Sequence, residues 1–144
     1  MIRIFMDSSA LFAAFLSKTG AARELFSLAI NDKIELVISE DVIVETRRNI
    51  ISAAPDFEDL LEKLFLELIF EIVPSPPKEA VWAAEKYVDQ KDAFIVAAAI
   101  LADVEYLATF DRKHLINPPQ VSEKSGLIID TPGSILNQIQ DKID

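Results

Sequence analysis

Ile2-Arg3-Ile4-Phe5-Met6-Asp7-Ser8-Ser9-Ala10-Leu11 is the stretch from which the rest of the chain can be read. Ile2 to Met6 is a short apolar run broken only by Arg3, the pattern of a strand buried on both faces in a parallel sheet. Asp7 closes it, and Asp7 or Ser8 offers the side-chain oxygen that caps a helix through Leu16. A strand that ends in an acid and turns at once into a helix places that acid at the carboxyl end of a sheet. Open α/β sheets bind their ligands there.

Further along, strands keep alternating with helices. Ala21 to Ile30 carries apolar residues at Ala22, Leu25, Phe26 and Ala29, the spacing of a helix packed on a sheet. Glu35 to Ile38 reads as a second strand, and Ser39 caps a helix running to about Ala53, ahead of Pro55. Asp56 is expected to cap the next, with Phe57, Leu60, Leu61, Leu64, Phe65 and Leu68 as its stripe. Phe70 to Val73 is a third strand, closed by Ser75-Pro76-Pro77. Pro77 opens a helix through Val88, and an apolar helix covers about Asp89 to Asp103. Glu105 to Thr109 and Leu127 to Ile129 are further strands, and Thr131-Pro132 starts a C-terminal helix. Asn117 to Lys124, with two prolines, reads as the most loop-like segment. The expectation is one domain over residues 1–144, α/β in class, a three-layer α/β/α sandwich on a central mostly parallel sheet.

Composition narrows the chemistry. The 144 residues include no cysteine and one histidine, His114, so disulfides, thiolate nucleophiles, Cys-based zinc sites and multi-histidine metal sites are excluded. Carboxylates are plentiful and suit hard cations such as Mg2+ and Mn2+. The longest apolar run, Ala93 to Ala102, is about half a membrane span. Ala10 to Leu16 is preceded by Asp7 rather than by basic residues, unlike a secretory signal. A cytoplasmic protein without a membrane partner is expected. The net charge of −10 argues, as an average, against nucleic acid.

Two acids, Asp7 and Asp111, stand just beyond strand ends. Asp92 leads an apolar helical face shared with Ile95, Val96 and Ala99, and Glu45 borders the apolar side of the Ser39 helix. Each also has an ordinary reading: a cap for Asp7, a solvated face for Glu45, a first-turn acid for Asp92, a turn residue for Asp111. If the four converge, their repulsion calls for a divalent cation, which would activate water for phosphodiester cleavage.

These residues also carry a resemblance. Ile4-Phe5-Met6-Asp7-Ser8-Ser9-Ala10-Leu11, Glu45, Asp92-Ala93 opening an Ala-rich helix, Leu107-Ala108-Thr109-Phe110-Asp111 and the late Thr131-Pro132 resemble, in order and over nearly the whole chain, the PIN domain family. The resemblance implies a Mg2+- or Mn2+-dependent ribonuclease of the VapC-like kind, the toxin of a type II toxin-antitoxin pair, with an antitoxin partner and a homodimeric state. It makes Asp7, Glu45, Asp92 and Asp111 the catalytic metal ligands, with Ser8, Ser9 and Thr109 orienting them by hydrogen bonds. Asp89 is an additional acid with a weaker match. The chain departs after Asp111, where many members carry an Asp-Phe pair and this one reads Arg112-Lys113-His114-Leu115. His114 has two readings, a contact to phosphate and, more commonly, an exposed loop histidine.

Arg47, Arg48, Lys91, Arg112 and Lys113 flank the candidate ligands and are expected to contact RNA phosphates. Negative charge concentrates instead in Asp56 to Glu71, six acids against one lysine. There Leu66 and Phe70 lie off the main stripe and suggest a second contact surface. Trp82 and Tyr87 read as core or rim. The competing functions are a PIN-fold module that binds RNA or protein without cutting and a receiver-like phosphotransfer domain. The second places paired acids after its first strand, whereas Ser8 follows Asp7 here.

Overall fold

The computed structural model describes residues 1–67 and 69–143. Among these residues five strands, β1 (Arg3–Met6), β2 (Glu35–Ser39), β3 (Phe70–Val73), β4 (Tyr106–Ala108) and β5 (Ile128–Asp130), form one sheet in the order β3-β2-β1-β4-β5. Every pairing is parallel. The three inner strands are short buried apolar runs bounded by polar residues: Ile4, Phe5 and Met6, Leu36 to Ile38, and Tyr106 to Ala108 are all essentially inaccessible, while the edge strands β3 and β5 are partly exposed.

Among the described residues, eight α-helices accompany the strands: α1 (Ser8–Leu16), α2 (Ala21–Ile30), α3 (Glu40–Ala53), α4 (Glu58–Leu66), α5 (Lys78–Glu85), α6 (Ala93–Leu101), α7 (Pro119–Ser125) and, after β5, α8 (Pro132–Ile139). The chain moves from β1 to β2 to β3 in one direction, then crosses back to lay β4 on the other side of β1. Right-handed crossovers put helices of opposite travel on opposite faces. In keeping with this, α1 packs on α2 and α3, α3 on α4, and α5 on α6. The reversal falls between β1 and β4, which makes the crevice beyond their carboxyl ends the switch point of the sheet. None of the described helices is long and apolar enough to cross a membrane.

Several expectations change. Asn117 to Lys124 is not a loop: a π-helical turn spans Arg112–Ile116, and α7 follows from Pro119 to Ser125. The two prolines sit where a helix start accepts them, Pro118 extended and Pro119 in the first turn, while buried Val121 anchors the helix. Gly126 ends it in the left-handed region at φ +77°. No atom lies within 4 Å of a Cβ built there, so Gly126→Ala is expected to cost only backbone strain, about 1 kcal/mol, in chemical denaturation. Unchanged stability would remove that argument. Asp56 makes no capping bond: Pro55–Phe57 is a 3-10 turn and α4 begins at Glu58. Leu68 of the expected stripe lies outside the described residues. The apolar helix is shorter than expected, with a 3-10 turn over Gln90–Asp92 leading into α6.

Phe70 is buried and not part of a second surface, its ring edge-on to Phe26 at 5.4 Å and tilted against Phe65. Leu66 is 80% exposed. Trp82 is exposed rather than core, because the buried residue of α5 is Ala84.

Candidate metal centre

Four acids from four separate segments meet at the switch point. Asp7 ends β1, Asp111 lies three residues beyond β4, Glu45 projects from the second turn of α3, and Asp92 precedes α6. With Ser8, Ser9, Lys91 and Ile95 they line one cavity of about 360 Å³.

Asp7 is held most firmly. Its Oδ1 accepts from the Ala10 amide at 2.9 Å and the Ser9 hydroxyl at 2.7 Å, and its Oδ2 accepts from the Thr109 hydroxyl. The cap and the site are therefore one residue: the carboxylate that starts α1 also faces the cavity. Ser9 Oγ in turn accepts from the Phe110 amide, and Thr109 Oγ1 from the Asp111 amide, both at 3.0 Å, which ties β1 to the segment after β4. The Thr109 amide donates to the Asp130 carbonyl and joins β5 to the same lattice. Ser8 donates to Glu45 Oε1 and aims that side chain. All three expected orienting residues thus contact a candidate ligand.

The electrostatics follow from the geometry. Burial pushes the Asp7 carboxyl above the usual carboxylate range, against the hydrogen bonds from Thr109, Ala10 and Ser9 that favour its charged form. Burial also raises Asp92, to about 6, with the negative charge of Asp111 adding to the effect and Lys91 and His114 opposing it. Asp92 Oδ2 is buried without a hydrogen-bond partner. A desolvated carboxylate oxygen with no donor, facing other carboxylates, is a position that a cation would satisfy. The donor set, oxygen-rich and acidic, fits a hard divalent ion.

His114 is where the sequence reading fails. The π-helical turn that follows Asp111 folds it back over the acids instead of leaving it in an exposed loop. Its Nδ1 lies 3.3 Å from Asp111 Oδ2 and 4.0 Å from Asp92 Oδ2, and its Nε2 lies 3.9 Å from Asp89 Oδ2. The signal was present in the spacing, since Asp111 and His114 are three apart and share a side of a helical turn; reading the segment as loop hid it.

The cations divide. Lys91 lines the carboxylate cavity, and Arg112 and Lys113 are exposed on the turn after Asp111. The structure does not bring Arg47 and Arg48 there. Arg47 Nε is 2.7 Å from Glu62 Oε1 on α4, and both arginines line a separate shallow groove with Val44, Ile51 and Ser52. A larger cavity of about 690 Å³ lies at the opposite end of the strands, but its Glu35 and Glu71 are already paired to Arg3.

Comparison with known proteins identifies the family and the fold. A family model described as PIN domain matches residues 3–113. No curated protein matches the chain. Among solved structures, PAE2754 from Pyrobaculum aerophilum is similar at 21% identity and a TM-score of 0.62, covering 97% of this chain and 96% of that one. VapBC2 from Rickettsia felis, bound to a DNA fragment from its promoter, is similar at 18% identity and a TM-score of 0.65, covering 90% and 98%. VapC20 from Mycobacterium tuberculosis, described as a sarcin-ricin loop cleaving toxin, is similar at 16% identity and a TM-score of 0.56, covering 76% and 91%.

Proposed function

The chain belongs to the PIN domain family, and on that premise we propose that it is a Mg2+- or Mn2+-dependent endoribonuclease, the toxin of a type II toxin-antitoxin pair. The observation that carries the reading is the four-carboxylate cavity with an unpartnered, buried oxygen on Asp92. Asp7, Glu45, Asp92 and Asp111 would hold the ion. Bound there, a divalent metal supplies activated water and neutralises charge on the phosphate.

The chain's own residues do the positioning. Ser9 and Thr109 keep both oxygens of Asp7 in fixed directions, so little reorganisation accompanies ion binding. Ser8 does the same for Glu45. Lys91, at the cavity wall, and the exposed Arg112 and Lys113 would draw RNA phosphates past a cavity that is otherwise negative. Arg47 is engaged by Glu62 and Arg48 lines a separate groove on α3, so neither belongs to this set of contacts.

The fold similarity to VapBC2 and VapC20 supports an antitoxin partner and an RNA substrate. In this reading the protein is a cytoplasmic homodimer that is held inactive until released from its antitoxin.

The test is incubation of the purified chain with structured RNA. Cleavage is expected with Mg2+ or Mn2+, abolished by EDTA and restored when the ion is returned in excess. RNA that binds but stays intact with either ion would favour the non-cleaving module instead.

A further inference from the structure

We propose that His114 is itself a metal ligand in this centre, which makes the site selective for Mn2+ over Mg2+. The inference rests on the metal-nuclease reading above and adds a nitrogen donor to it.

Asp92, Asp111 and His114 each offer one ligand atom, and these atoms lie within 4.8 Å of one another. Two donors at right angles around an ion with bonds of about 2.1 Å are about 3 Å apart. His114 Nδ1 already stands 3.3 Å from Asp111 Oδ2 and 4.0 Å from Asp92 Oδ2, so closing on a shared ion needs a movement of about 1 Å or less. Asp92 Oδ2, the more distant of these two oxygens, is the buried one without a hydrogen-bond partner.

The ring is also held as a ligand should be. The His114 amide donates to Asp111 Oδ1 at 3.0 Å, and buried Leu115 anchors the turn from the other side. Behind the ring stands Asp89. Its Oδ1 accepts from the Lys91 amide, leaving Oδ2 to face His114 Nε2 at 3.9 Å. Without an ion, Nδ1 is within hydrogen-bond distance of Asp111 Oδ2 and Nε2 is not within it of Asp89 Oδ2. An ion bound at Nδ1 would displace that proton to Nε2, where Asp89 can accept it after closing by about 1 Å, the arrangement that metal-bound imidazoles use. Asp89 thereby acquires a positioning role.

An imidazole changes which ion the site prefers. Mg2+ takes oxygen donors and dehydrates reluctantly, whereas imidazole suits transition ions, Mn2+ at the weak end of their series. A ring acting only as a counter-ion to three acids would leave Mn2+ in an all-oxygen sphere.

Pulsed EPR on the protein loaded with Mn2+ alone decides between these, because it detects nitrogen bound to the ion without reference to activity. Wild type is expected to show imidazole nitrogen coupling, lost in His114→Ala. By calorimetry, Mn2+ affinity should fall about tenfold or more in that variant, while Mg2+ affinity changes by less than about threefold. Wild type that binds Mn2+ without nitrogen coupling, with binding abolished by Asp92→Asn, would overturn ligation by His114 and leave the carboxylate centre standing. No Mn2+ binding in wild type would overturn both. Nitrogen coupling in a protein that fails to cut any RNA would uphold His114 as a ligand and remove the nuclease reading.

Discussion

Asp92→Asn is expected to lower RNA cleavage by about 10³-fold or more and, at the same time, to make the metal-free protein more stable at neutral pH. The first effect follows from removing one anionic ligand from a metal centre that supplies several kcal/mol of charge stabilisation, with each 1.36 kcal/mol worth a factor of ten. The second follows from what burial does to the carboxyl. Its folded pKa is about 6 against an ordinary 3.8, so the native state holds the proton more tightly than the unfolded chain. Stability contributed by this group is therefore present at low pH, declines as pH rises from about 3.8 to about 6, and is gone above that. A shift of this size corresponds to at most about 3 kcal/mol, and screening by nearby solvent reduces it to about 1–2 kcal/mol. An amide carries no such penalty. In urea denaturation without metal, the variant should exceed wild type by about 1–2 kcal/mol near pH 8, with the gap closing towards pH 4. Added Mn2+ should then stabilise wild type and leave the variant nearly unmoved, by mass action on the folded state. A variant less stable than wild type near pH 8 would mean that Asp92 is a structural acid.

Much of this site was legible in the sequence because it hangs on strand ends. Asp7 and Asp111 are fixed by where the short apolar runs Ile4 to Met6 and Tyr106 to Ala108 stop, and a buried parallel strand leaves little freedom in that boundary. Ser39 capped its helix as read, which set the phase of α3 and so the direction of Glu45. What escaped depended on contacts between segments distant in the chain. Whether Arg47 reaches phosphate or Glu62 is decided by how α4 folds back on α3, fifteen residues on. The π-helical turn over Arg112–Ile116 has no periodicity that distinguishes it from a loop, and with it went the position of His114. Pro118 and Pro119 read as breakers in isolation. They become a helix start once Val121 has a core to enter.

Asp7 offers the sharpest separation of structural and chemical roles, because two substitutions at the same atom positions are expected to diverge. In Asp7→Asn the side-chain oxygen can still accept from the Ala10 amide and Ser9, preserving the cap of α1. The new amide nitrogen faces Thr109 Oγ1, which has a lone pair to accept it beside the bond from the Asp111 amide. The Thr109 hydroxyl proton loses its acceptor, a cost partly offset by relief of the buried charge. The fold should therefore survive with a loss of about 1–2 kcal/mol, while cleavage falls about as far as in Asp92→Asn because an anionic ligand is gone. Asp7→Ala instead removes the cap and strands the Ala10 amide and two hydroxyls at a position only 4% exposed. A missing cap costs about 1 kcal/mol and each buried unpaired donor about 1–3, so even after relief of the buried charge a net loss of about 2–4 kcal/mol is expected. Thermal melts and a single-turnover RNA assay on both variants check this. Full cleavage by Asp7→Asn would remove Asp7 from the metal site and leave it a cap. An Asp7→Ala protein as stable as wild type would show that the hydrogen-bond lattice joining β1 to Thr109 is not what holds the crevice together.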